Sequence, residues 1–364
     1  MSRRLGKFVA VGIYSLSGVA CGLMFGKVYD DTGNFVISFL TLMIGMYLGF
    51  ILSIGIHEAG HLVFGLLSGY KFISYRLGNL MIIKKDGKLC LRRFSLAGTA
   101  GQCLMSPPEM KDGKIPCVNF NLGGAVFNLV AGAVFLAVSV CLGMNPLYGM
   151  IAAINFGTGL SNGIPLHVGL IDNDGMNALS LGRSQTAMKA FVTQLRVAAA
   201  QTEGKRLREL PDEWFELPSP DEMKENALAA TVGVLAANRK LDALDLEGSK
   251  EILGRLLSSP ATLGLHRMLL RLDLASIEYL TGDKSGGDRI MESKDVKNLI
   301  KAMKGNISIL RAEYIAAKAD GRPTGEIMKR FERAAASYPY AGDVRSEREI
   351  IALAEERIVG DPRV

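Results

Sequence analysis

The sequence predicts an all-α membrane protein of about four transmembrane helices with a small cytoplasmic β-hairpin, joined to a soluble α-helical domain of tetratricopeptide-like character. Three observations carry this. The long apolar runs are confined to roughly the first 184 of 364 residues, and the rest is charged and soluble in character. The net charge of +6 sits wholly in that first half, which has 14 Lys+Arg against 8 Asp+Glu, whereas residues 185–364 have 28 of each. A length of this order also favours two domains, so the expected division is a membrane domain over 1–184 and a helical domain over 185–364. An even charge balance in the second half gives no reason to expect a nucleic-acid partner, despite the overall pI near 9.0.

Phe8 to Phe25 is apolar and follows the basic "MSRRLGK"; the alternative for it is a cleaved signal peptide. Phe35 to about Tyr70 would be about 54 Å long as one helix, against a hydrocarbon core of about 30 Å. It must therefore tilt, break near Gly49 or Gly55, or protrude. Val118 to Gly143 and Leu147 to about Ile171 are the third and fourth runs, linked by Asn145-Pro146. Gly18, Gly22 and Gly26 form a small-residue stripe suited to packing within or between chains.

Loop charge orients the spans. Arg3, Arg4 and Lys7 precede the first, "KVYDDTGN" follows it, and residues 71–117 carry nine Lys+Arg against three acids. By the positive-inside rule the N-terminus and the 71–117 loop are cytoplasmic, and after four spans so is the C-terminal half. The inner ends of the second and fourth runs then lie at similar depth, although about 100 residues of sequence separate them.

Within the loop, "LMIIKKDGKLCLRRF" reads as two short strands about Asp86-Gly87, a hairpin with a type I′ turn. Its edge offers backbone groups to an extended peptide. In the second half, Ser219 is an expected N-cap with Pro220 at the first helical position. Residues 305–339 read as two helices joined at Gly321 and Pro323, with similar pairs around 222–258 and 262–281. Arrays of such pairs bind peptides or protein partners on a concave face; the alternative is a domain that only stabilises the core. The five cysteines form no CxxC pair, which argues against a zinc knuckle or a redox dithiol.

The chemistry sits in "SIGIHEAGHLVFGLLSG", Ser53 to Gly69. Ionisable residues at membrane depth are costly and need a cause. On a helix, His57 and His61 project from one face and can share a metal ion, with Glu58 beside them as a general base. Zinc lowers the pKa of its bound water towards about 7, and a catalytic site has three protein ligands and an open position. The third ligand must come from the close of the fourth run, "SNGIPLHVGLIDNDGMN". Asp174 is the leading candidate, because Gly175 lets backbone and metal approach closely; Asp172 is its competitor. His167 is close by and offers an alternative ligand, but reads rather as a capping or packing residue, and His266 as structural. Pro165 ends the helical pattern and frees carbonyls where they must meet protein or cavity water. The Asn162 amide is placed either to donate to a developing oxyanion or to bond a neighbouring helix.

"HEAGH", "NGIP" and "NDG" in this order across apolar spans resemble the site-2 protease family of intramembrane zinc metalloproteases, the M50 peptidases. "GGAVFNLVAG", Gly123 to Gly132, is similar to that family's glycine-rich third-span element. The resemblance covers roughly residues 35–182. It implies a zinc metalloendopeptidase of the bacterial cell membrane that cuts in or next to spans of a membrane-bound protein or peptide. His57, His61 and Asp174 would bind Zn2+, Glu58 would be the general base, Asn162 would steady the tetrahedral intermediate, and Asn128 would support the site. It also implies a strand element beside the site to hold unwound substrate. Substrates of the kinds the family suggests are anti-sigma factors, signal-peptide remnants and pheromone precursors. One departure is that Asp174 follows Asn162 by twelve residues, a longer interval than usual, so "LHVGLI" must loop. A catalytically silent membrane protein whose helical domain docks a partner is the competing reading. A metal-ion transporter is disfavoured by the few polar residues along the spans.

Overall fold

The computed structural model describes residues 3–85, 87–94, 99–168, 171–259 and 264–358. The chain divides into two compact units, Met1–Lys84 with Gly98–Met188 and Lys85–Ala97 with Lys189–Val364.

Four long helices build the first unit: α1 (Arg3–Thr32), α2 (Phe35–Leu67), α3 (Cys117–Cys141) and α4 (Pro146–Gly163). Of these, α1, α2 and α3 are long and apolar enough to cross a membrane. The fourth run behaves differently from expectation. Its helix ends at Gly163, ahead of Pro165, and has only 18 residues, among them Asn155, Thr158, Ser161 and Asn162. These lower its hydropathy, and two of the four turn inward: Asn155 and Ser161 are buried.

α2 runs unbroken for 33 residues, through both Gly49 and Gly55, so its length is not relieved by a break. Asn34 caps it, accepting from the backbone N–H groups of Val36 and Ile37. Its buried residues are Ser38, Gly45, Gly49, Ser53, His57, Gly60, His61 and Gly65, one stripe of small and polar side chains. Its large apolar side chains, including Phe39, Ile44, Leu48 and Phe50, are exposed. That inversion has a physical basis. In an apolar medium, burying Leu or Phe gains little, while small residues let backbones close up and polar ones bond across helices. Gly60 illustrates it: a methyl there would run into the carbonyl of Gly123 on α3. The small-residue stripe of α1 is not used within the chain: Gly18, Gly22 and Gly26 have nothing within 4 Å of an added methyl. α1 instead packs through Tyr14, whose hydroxyl lies 2.9 Å from Ser161 Oγ, and through Ser17 against Gly157.

Between α2 and α3 the expected hairpin is part of a larger sheet. Strands β1 (Lys71–Leu77), β2 (Leu80–Lys85), β3 (Lys88–Arg93) and β4 (Gly101–Ser106) lie in the order β3-β2-β1-β4. β1 pairs antiparallel with β2 through a tight turn, Leu77 opposite Leu80, and with β4 through a bulge between Phe72 and Ser74. Of the expected turn, Asp86 lies outside the described residues, and Gly87 has φ +77. The sheet rests on α2: Tyr75 donates its hydroxyl to Gly55 O at 2.5 Å, and Met105 packs at Gly65. After α4, strands β5 (His167–Val168) and β6 (Ile171–Asp172) form a small antiparallel hairpin leading into α5 (Asp174–Leu181).

The second unit is helical: α6 (Gln185–Thr202), α7 (Pro220–Glu225), α8 (Ala227–Asp242), α9 (Leu246–Ser258), α10 (Gly264–Leu280), α11 (Lys284–Met291), α12 (Lys294–Ala302), α13 (Ile307–Ala319), α14 (Gly325–Ser337) and α15 (Ala341–Arg357). Ser219 and Glu222 form a capping box with Pro220 in the first turn of α7. α13 and α14 are separated by Gly321 at φ +68, a conformation glycine adopts without strain. The core is conventional: Leu253, Leu256, Ile277 and Ile315 are fully buried among other aliphatic residues. It also holds two buried arginines. Arg206 is paired to Asp242 at 2.7 Å, and Arg311 to Asp273 at 2.5 Å and to Glu347 at 3.2 Å.

Candidate functional site

His57 and His61 leave the buried face of α2 one turn apart, and Asp174 enters from the first turn of α5. Their ligand atoms lie within 4.8 Å of one another, the one such group of three among the described residues. His57 Nε2 is 3.0 Å and His61 Nε2 3.5 Å from Asp174 Oδ2, and the two Nε2 atoms are 3.1 Å apart. Three donors each about 2.0–2.1 Å from a common tetrahedral ion would lie about 3.3 Å apart, so the separations fit such a set.

The protons on the rings sharpen this. Asn128, on α3, donates Nδ2 to Ser53 O at 2.9 Å and to Asn155 Oδ1 at 2.9 Å. Asn155 in turn donates its own Nδ2 to Ile151 O, so its Oδ1 is an acceptor. Asn128 Oδ1 is therefore an acceptor too, and His57 Nδ1–H donates to it at 2.8 Å. His61 Nδ1–H donates to Phe120 O, also at 2.8 Å. Network logic of this kind assigns the tautomers of the neutral rings: with Nδ1 protonated, both Nε2 atoms carry the lone pairs. Two imidazole lone pairs and a carboxylate oxygen then converge with no hydrogen between them. That arrangement needs a cation or an added proton, and outer-sphere bonds on Nδ1 are the usual way of orienting histidine ligands.

Asp174 owes its position to its neighbour. Asn173 caps α5, its Oδ1 accepting from Met176 N at 2.9 Å and Leu166 N at 3.0 Å. Its Nδ2 donates to Ser161 O and Ile164 O, both at 2.6 Å. The twelve-residue interval after Asn162 is thus taken up by the β5–β6 hairpin. Asp172, on β6, is paired with His167 Nδ1 and does not enter the cluster. Gly175 has a packing role. A methyl there would strike the Gly163 carbonyl, so this glycine serves backbone packing of α5 on the end of α4.

Glu58 faces the sheet. It lies beside the backbone of Cys103 on β4 and near His61, His57 and Asp174. Gly101 makes room for it, since a methyl on Gly101 would stand 2.7 Å from Glu58 Oε1. The strand beside the site is accordingly β4, an edge of the sheet, rather than the β2–β3 hairpin that the sequence brings to attention. Arg76 holds the entry to β4, donating to Gly78 O, Thr99 O, Thr99 Oγ1 and Gly101 O. Burial and the nearby Glu58 carboxylate push the Cys103 thiol up to about 12, so it stays protonated and is no nucleophile at neutral pH.

Asn162 is not one of the three clustered residues. Its Nδ2 donates to Thr158 O of its own helix at 3.0 Å. Sequence reasoning gave no role to Asn155, Asn173, Ser53 or Arg76. Polar residues in apolar helices were the available signal for Asn155 and Ser53. An Asn directly ahead of an Asp-Gly helix start was the signal for Asn173. A scan against family models found no match, and searches of curated proteins and of solved structures found none either.

Proposed function

We propose that this chain is an intramembrane zinc metalloendopeptidase of the site-2 protease type, cutting peptide bonds in or next to transmembrane segments. The observation that carries this reading is the convergence of His57 Nε2, His61 Nε2 and Asp174 Oδ2, with both Nδ1 protons engaged elsewhere. These three residues would hold the ion. A zinc ion bound there supplies Lewis acidity and brings the pKa of water towards about 7.

The chain's own residues do the rest. Glu58, fixed against Gly101 and the Cys103 backbone, is the general base that takes a proton from water and returns it to the leaving amine. Asn162 Nδ2 has two hydrogens, of which Thr158 O takes one. We assign the other to the developing oxyanion. A substrate helix has its peptide groups covered by its own hydrogen bonds, so it must unwind before cleavage. The free edge of β4 is the element that would receive the released backbone.

In this reading α4 is a fourth span. Its polar side chains are shielded by α1, α2 and α3, so low hydropathy does not bar it from the bilayer. Basic residues at the N-terminus and in 71–117 then place both termini in the cytoplasm of a bacterial cell. The helical second unit is proposed as a tetratricopeptide-like docking domain for a protein partner.

The test compares cells carrying the wild type or Glu58→Gln, with metal content measured on purified protein and membrane fragments by proteomics. Both proteins should carry zinc, and fragments of spanning substrates should accumulate only with Glu58→Gln. Zinc in both, with identical fragment profiles, would favour a catalytically silent protein that docks a partner.

A further inference from the structure

We infer that Asn173 is a positioning residue that sets the place of Asp174 in the cluster, by lacing together both ends of the loop that separates α4 from α5. The inference rests on the metal-site reading above and extends it to a residue outside the ligand set.

His57 and His61 belong to one continuous helix, so their mutual geometry follows from helical spacing. Asp174 has no such guarantee. Between the end of α4 and Asp174 the chain passes through Pro165, a turn, and the β5–β6 hairpin. Pro165 cannot continue the helix, so carbonyls of the last turn of α4 lose their usual partners. Two of them, Ser161 O and Ile164 O, receive Asn173 Nδ2. On the far side of the loop, the orphan N–H of Met176 in the first turn of α5 is capped by Asn173 Oδ1, which also accepts from Leu166 N just after the proline.

One buried side chain therefore serves four backbone groups drawn from α4, the residue after Pro165, and α5. Asn173 is only 8 % exposed, so water is a poor substitute for any of the four. The next residue along is the carboxylate of the cluster. A change in the neck of the loop moves Asp174 directly, while His57 and His61 stay anchored through Asn128 and Phe120. No other natural side chain of this size both donates two and accepts two hydrogen bonds at this point. Asp caps but cannot donate. Ser caps but is too short to reach both carbonyls.

The experiment uses full-length protein in detergent and measures zinc affinity by chelator competition for wild type, Asn173→Ala, Asn173→Ser and Asn173→Asp. Amide exchange at Leu166 and Met176 is read in the same samples. The expected result is a fall of roughly ten- to a hundredfold in zinc affinity for all three variants, the range seen when outer-sphere partners of a metal ligand are removed. Exchange at Leu166 should be faster in Asn173→Ala, which loses the acceptor, whereas Asn173→Asp keeps an oxygen that accepts from Leu166 N. At Met176 it should be faster in Asn173→Ala alone, because Ser and Asp still cap. Wild-type affinity in Asn173→Ser and Asn173→Asp would reduce Asn173 to a helix cap and overturn the inference. If the wild type binds no zinc, the metal reading fails, yet the lacing is still decided: unchanged exchange at Leu166 in Asn173→Ala would overturn it.

Discussion

Gly124→Ala is the sharpest mechanical test of the site. Gly124 lies on α3 directly under the His57 ring, and a methyl there would stand 2.6 Å from Cε1 and 2.8 Å from both ring nitrogens. Ordinary carbon contacts lie at about 3.5–4.0 Å, so ring or helix must give way by about 1 Å. The ring cannot simply tilt, because its Nδ1 is bonded to Asn128, one turn further along the same α3. Metal–ligand distances tolerate about 0.2 Å. Overpacking of this kind costs about 1–3 kcal/mol, and about 1.4 kcal/mol is tenfold in affinity. Zinc affinity, read by chelator competition, should therefore drop about ten- to a hundredfold, and Tm in detergent should fall. Gly22→Ala on α1 is the control, since nothing lies within 4 Å of its methyl; both variants share the helical gain of Gly to Ala. If Gly124→Ala matches Gly22→Ala in affinity and Tm, the close packing of α3 on His57 is wrong and so is the reasoning.

Other outcomes follow from the same contacts. Asn128→Ala removes the acceptor for His57 Nδ1 and strands Asn155 Oδ1 and Ser53 O, and should lower zinc affinity about ten- to a hundredfold in the same competition assay. In the helical unit, Asp242→Ala leaves the buried guanidinium of Arg206 without its inner partner and should cost about 3 kcal/mol in denaturant unfolding. Glu349→Ala removes a 41 % exposed partner of the same arginine and should cost under about 1 kcal/mol. Asp343 is pushed up to about 7 by burial and by the neighbouring Glu347 and Asp242, against the pull of its bond from Gln201. A carboxyl raised on folding stabilises the folded state below its unfolded pKa, near 4, and that contribution is lost as pH rises through about 7. Asp343→Asn keeps an acceptor for Gln201, so its Tm advantage over the wild type should be larger at pH 8 than at pH 4.

The sequence carried the part of the site that is local. His57, Glu58 and His61 are legible because helical periodicity alone puts the two imidazoles on one face. Asp174 was reachable as an acidic residue at the end of a later run, but spacing did not separate it from Asp172. That choice depends on Asp172 pairing with His167 across a two-strand hairpin. The buried face of α2 was not read at all. Its logic runs opposite to a soluble helix, and the partners of Gly60, Gly123 and Gly124 are about 60 residues away. The hairpin was seen because β2 and β3 surround an Asp-Gly turn. β1 and β4 were missed because Ser74, Arg76, Gln102 and Ser106 blur their alternation. α4 was overextended because its start is apolar, although Pro165 marks the end of the helix and Asn155 to Asn162 mark its inward face. In the second half, caps at Ser219 and the break at Gly321 were local signals, while the pairing of Arg206 with Asp242 was not.

The central claim is that one ion is held by His57, His61 and Asp174. Metal analysis of purified wild type, Asp174→Ala and Asp172→Ala tests it most directly. One zinc per chain is expected in the wild type and in Asp172→Ala, with loss in Asp174→Ala. A wild type without zinc, or an Asp172→Ala protein that loses the metal while Asp174→Ala keeps it, would contradict the account.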